Sequence, residues 1–170
     1  MNKEQYHLLQ AFDQGRIDLD DLDQLFEEKF NIDLYSDSQF LETEIRTVLA
    51  NDDQDTLELL MNILWIIRPP KKTLPILHQL LLAPNHRYHQ TVTKQIQDIA
   101  DPSSIQYLNL ILERGFKDFE YTGSEDGAIA KWFSWALFSI GTEEAVEVLK
   151  KHSKSKNREI ADEMKYRLTT

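Results

Sequence analysis

Four aspartates fall within six residues: Asp18, Asp20, Asp21 and Asp23. Carboxylates at that density suggest calcium. A calcium loop, however, needs oxygen ligands at alternate positions, a glycine at its sharp turn and a distal bidentate glutamate. Asp20-Asp21-Leu22-Asp23 lacks that order, and no glycine follows it. The same acids suit the first turn of a helix, where they cap free N–H groups and complement the dipole. His86 and His89 lie three residues apart, so a helix would put them on one face, with His78 on the preceding segment. Three imidazoles can hold zinc with one position open. No acid in a recognised motif supports them, and they read as corner or surface histidines. Glycine-rich phosphate loops, nucleophile elbows and His-Glu-x-x-His pairs are all absent. The expectation is a chain with no catalytic set, no metal and no cofactor.

Aromatic residues concentrate in Trp132-Phe133-Ser134-Trp135-Ala136-Leu137-Phe138. On a helix, Ile129, Phe133, Ala136, Leu137 and Ile140 form one apolar face, and Trp132, Trp135 and Ser139 form another. A helix apolar on both sides is buried, or it presents rings to a partner. Phe116, Phe119 and Tyr121 in the preceding stretch either fold over the tryptophans or extend an aromatic surface of the kind that anchors interfaces. Lys150, Lys151, Lys154, Lys156 and Arg158 gather at the last corner, where a helix C-terminus favours cations. A phosphate-binding patch is the alternative there.

Charge bounds the partners. The chain has 170 residues and a net charge of −10. Residues 1–60 carry −12, residues 61–118 carry +3 and residues 119–170 carry −1. Such a field repels nucleic acid and anionic membrane and attracts a basic partner. An apolar share of 41% argues against disorder. Cysteine is absent, which removes disulfides and thiolate sites and fits a reducing compartment. Met1-Asn2-Lys3-Glu4-Gln5 shows no basic-then-apolar leader pattern, and Ile63-Leu64-Trp65-Ile66-Ile67 is too short an apolar run to span a bilayer. A cytoplasmic protein is expected.

These residues must be positioned by helices, because no alternating strand pattern persists. Apolar spacing predicts helices over residues 3–14, from 18 onward, after Ser36-Asp37-Ser38, and from 54 up to the Pro69-Pro70 stop. Others follow over 74–82, 86–100, 102–113, 125–140, 143–152 and 157–168. The most telling feature is a repeated corner. Ile99-Ala100-Asp101-Pro102-Ser103-Ser104-Ile105 returns, degenerate but aligned, as Ile140-Gly141-Thr142-Glu143-Glu144-Ala145-Val146. Arg68-Pro69, Asp101-Pro102 and Thr142-Glu143 are spaced by 33 and then 41 residues, and the extra length falls largely in 114–123. Recurrent helix–corner–helix units predict a stacked array, since one pair cannot bury its own apolar face.

In these corners, each followed by a leucine-bearing helix, the chain resembles HEAT-repeat proteins of the short phycobilin-lyase-like type. The resemblance covers roughly residues 60–168; the first 60 share only amphipathic helical character. It implies a HEAT-like α-α superhelix, and with the helices read above the expectation is an all-α array of about ten helices; at 170 residues the chain suits a single domain over 1–170. HEAT proteins scaffold complexes, act as immunity proteins against toxins, modify chromophore proteins or excise alkylated bases. Combined with the acidity, the resemblance implies a protein-binding module, most specifically an inhibitor of a basic toxin. An alkylpurine DNA glycosylase using Trp132, Trp135 and Asp126, or a chromophore-lyase-type repeat protein, are the alternatives. The candidate partner-binding residues are Asp20, Asp21, Asp23, Glu27 and Glu28, together with Phe116, Phe119, Tyr121, Trp132 and Trp135.

Overall fold

A computed structural model describes all 170 residues and is entirely helical between its turns. Ten α-helices follow one another: α1 Lys3–Asp13, α2 Leu19–Phe30, α3 Ser38–Asn51, α4 Gln54–Leu64, α5 Leu74–Leu82, α6 His89–Ile99, α7 Ile105–Arg114, α8 Asp126–Ile140, α9 Glu143–His152 and α10 Arg158–Leu168. Short 3-10 turns occupy Pro70–Thr73, Pro102–Ser104 and Lys117–Thr122. No helix is long and apolar enough to cross a membrane. Where the sequence suggests one continuous array, the chain divides into two compact units, Met1–Ile76 and Leu77–Thr170, with the division inside α5.

In the first unit, α1 packs on α2 and α4, and α3 packs on α4. Leu22 and Phe26 of α2 are fully buried, at the i, i+4 spacing of one helix face. Phe26 meets Phe30 and Phe40 edge-on, at 5.3 and 5.7 Å between centroids. Leu9, Leu41, Ile45, Leu57 and Leu60 are also buried in this unit. α4 ends at Leu64, before the Pro69-Pro70 pair that was expected to stop it.

In the second unit α8 is the hub, packing against α6, α7, α9 and α10. Its Ile129, Ala130, Phe133, Ala136 and Leu137 are all buried. The two matching corners share a backbone solution. Each ends its helix with a residue in the left-handed region, Ala100 at φ 52° and Gly141 at φ 66°. Each then caps the next turn with a side chain: Asp101 accepts from the Ser103 N–H at 3.0 Å, and Thr142 from the Ala145 N–H at 3.3 Å. The equivalence of the two corners is therefore one of local geometry as well as sequence. Two boundaries differ from expectation. Residues 86–88 lie outside α6, and Pro102 opens a 3-10 turn rather than the α-helix itself.

Candidate functional site

The aspartate run is a helix start. Asp18 caps α2, accepting from the Asp21 N–H at 2.9 Å. Asp23 is half-buried and accepts from the Leu34 N–H at 2.8 Å, while Asp20 accepts from the Tyr35 hydroxyl at 3.0 Å. The hydrogen bond and negative charge of Asp20 push the Tyr35 phenol up from its usual range. Asp20, Asp21, Glu27 and Glu28 are exposed on the side of α2 away from Leu22 and Phe26. A second acidic group, not singled out by sequence, lines a groove between α1 and α4: Asp13, Asp55 and Glu58 beside Tyr6.

The histidines are committed to the fold. His86 and His89 stack at 4.1 Å between ring centroids. Nε2 of His86 meets the Leu80 carbonyl at 2.6 Å, and Nε2 of His89 meets the Ala83 carbonyl at 2.9 Å. A carbonyl only accepts, so both rings carry their proton on Nε2. His86 Nδ1 then accepts from the Tyr88 N–H at 3.0 Å, and His89 Nδ1 from the Tyr121 hydroxyl at 3.1 Å. Both lone pairs are occupied, and no three metal-ligating side chains converge. These bonds hold residues 86–88 off the helix. His78 stacks on Tyr107 at 4.0 Å and shares a 2.9 Å hydrogen bond with Ser104 Oγ. Burial lowers His78 to about 4, against a smaller opposing pull from Asp101. Burial, with the neighbouring His86, also lowers His89 to about 4.

The 114–123 stretch resolves the aromatic alternatives. Phe116 and Phe119 are 5% and 1% exposed. Phe116 stacks on Phe133 at 5.6 Å, and Phe119 meets Phe133 edge-on at 5.8 Å. The expectation that Phe116 and Phe119 offer partner-binding surface is thereby corrected: both belong to the core. Tyr121 remains 41% exposed while anchoring His89. Trp132 touches Phe119 through a tilted contact at 6.5 Å but is only half-buried, as is Trp135. The insert therefore covers Phe133 and leaves the tryptophans at the surface.

The two indoles line a groove of about 490 Å³ between α6 and α8. Gln90, Thr91, Lys94 and Gln97 form the α6 wall, and Lys131, Trp132 and Trp135 the α8 wall. Beneath Trp135 lies Arg167, 2% exposed, with its guanidinium 3.8 Å from the ring centroid. Arg167 also bonds Glu163 at 2.9 Å and Ser134 Oγ at 3.3 Å, and Ser134 donates to Glu163 at 2.6 Å. Asp126 does not line this groove; it sits at the start of α8, where Asn157 donates to it. Of the basic cluster, Lys150, Lys151 and Arg158 pair with Glu147, Glu113 and Asp162. The α6 residues and Arg167 were missed because their significance depends on which helix each one faces. The only sequence signal was a polar i, i+4, i+7 row at Gln90, Lys94 and Gln97.

No protein-family model matches the chain, and neither a curated protein nor a solved structure does.

Proposed function

We propose that this chain is a non-catalytic protein-binding module of HEAT-like helical pairs whose acidic first unit captures a basic protein, in its sharpest form a toxin held by its inhibitor. One observation carries the reading. Residues 1–76 hold 16 acids against 7 bases, a net −9 of the total −10. Asp20, Asp21, Glu27 and Glu28 stand exposed on α2, while its other face is anchored by Leu22 and Phe26. A rigid helix with one face spent on the core is a stable platform for charge. His86 and His89 support the reading, since their ring nitrogens are engaged in fold bonds rather than offered to a substrate. Charge of this kind accelerates encounter more than it deepens affinity.

The test is charge reversal on that face. Asp21→Lys with Glu27→Lys changes exposed side chains and leaves the fold intact, because surface charges contribute little to stability. With the partner isolated on the immobilised chain at low salt, the variant associates about tenfold or more slowly at low ionic strength. The difference closes as salt shortens the screening length to about 3 Å near 1 M. Equal on-rates with an unchanged salt slope would remove the acidic face from binding.

A further inference from the structure

The α6/α8 groove is chemically unlike the rest of the chain. In a protein of net charge −10, its lining contains no carboxylate. It contains two lysines, two glutamines and two indoles: Lys94, Lys131, Gln90, Gln97, Trp132 and Trp135. Lys94 is ion-paired with Asp98 one turn on, outside the lining. Lys131, one residue from Trp132, has an exposed ammonium with no ion partner. The volume, about 490 Å³, lies within the range that holds small molecules, about 300–1,000 Å³.

One of the indoles is prearranged. Trp135 is fixed by Arg167 stacked at 3.8 Å and by Phe138 edge-on at 5.7 Å. Arg167 is in turn held by Glu163 and Ser134. A guanidinium on one face of an indole draws on its π-density, so the opposite face disfavours a second cation and accepts an electron-rich ring. A flat ring on the tryptophans would place a substituent within reach of Lys131, and the glutamine amides supply donors and acceptors for ring edges.

We propose that this groove binds a small planar aromatic anion, a ring system carrying one phosphate or carboxylate. The ring stacks on Trp132 and Trp135, and its charge meets Lys131, with Lys94 second. The overall acidity of the chain favours a single small anion over a polyanion, which would meet repulsion beyond the groove. The inference is independent of the acidic face of the first unit.

Indole N–H resonances provide the assay, because the chain has three tryptophans and Trp65 lies in the other unit. Adenosine 5′-monophosphate and naphthalene-2-carboxylate are the charged-ring probes. Adenosine, a ring without charge, and inorganic phosphate, a charge without a ring, are the controls. Saturable shifts are expected at Trp132 and Trp135 but not at Trp65, with submillimolar dissociation constants for at least one charged ring. Which of the two binds distinguishes a phosphate ligand from a carboxylate one. Adenosine and phosphate should bind at least about fivefold more weakly. Lys131→Gln, an exposed change, should weaken the charged ring by about fivefold and leave adenosine unchanged. Failure of both charged rings to saturate the two indoles by about 10 mM, a charged ring that binds no more tightly than adenosine, or an unaltered constant for that ring in Lys131→Gln would each overturn the proposal. So would a single-stranded oligonucleotide of about ten nucleotides binding far more tightly than the monophosphate, which would mark a polynucleotide surface instead.

Discussion

Acidification from about pH 7.5 to about pH 5.5 should destabilise the second unit through its buried histidines before most carboxylates titrate. Burial holds His78 and His89 at about 4, whereas an unfolded imidazole titrates near 6.5. Between those values the unfolded chain binds more protons, so stability must fall as pH falls. The contribution is complete above about 6.5 and is lost progressively as pH drops toward 4. At pH 5.5 each such histidine costs at most about 1.4 kcal/mol, and with partial water access the two together cost about 1–3 kcal/mol. His86 and His152, both lowered chiefly by burial, act in the same direction. Structure gives the reason that relief is difficult. A second proton on His86 would have to sit at Nδ1, facing the Tyr88 N–H, and would charge a ring stacked on His89. Urea unfolding midpoints at a series of pH values measure the loss. His78→Gln, which removes one titrating ring, should shrink the pH dependence by roughly a third to a half. Long-range nitrogen–proton spectra should show Nε2–H tautomers for His86 and His89 at neutral pH, persisting for His89 to about pH 5. A midpoint that stays flat from pH 7.5 to 5.5, or Nδ1–H tautomers at neutral pH, would refute the reasoning.

Two further expectations concern the second unit. Ala100 occupies a left-handed position at φ 52° that its counterpart Gly141 fills without strain, so Ala100→Gly should stabilise by about 0.5–1 kcal/mol and Gly141→Ala should destabilise by about 1 kcal/mol in thermal melts; opposite signs would mean the two corners are not equivalent. Arg167→Ala leaves Glu163 facing a desolvated pocket and uncovers one face of Trp135, and should cost about 3 kcal/mol with altered tryptophan emission. Arg167→Met with Glu163→Gln should recover much of that loss, and a double variant as unstable as Arg167→Ala would show that the ion pair was not its source.

Residues 1–170 carry their helical character openly, because helix starts, stops and caps are local chemistry. Asp18 and Thr142 act within three residues of themselves, and Leu22 and Phe26 share a face by spacing alone. The repeated corner was legible for the same reason: a left-handed residue followed by a capping side chain is a short-range arrangement. Spacing also separated the tryptophan face of residues 126–140 from its core face. What it left open was which neighbour covers each. Phe116 and Phe119 sit more than ten residues before Phe133, and only packing decided that they bury it rather than Trp132 and Trp135. The groove depends on α6 meeting α8, and the Arg167 stack depends on α10 meeting α8. The histidines had the spacing of metal ligands, and tertiary structure supplied the carbonyls and donors that occupy their nitrogens instead. The division into two units was likewise hidden, since helices of both are amphipathic by the same rule and a periodic pattern names an apolar face without naming its partner.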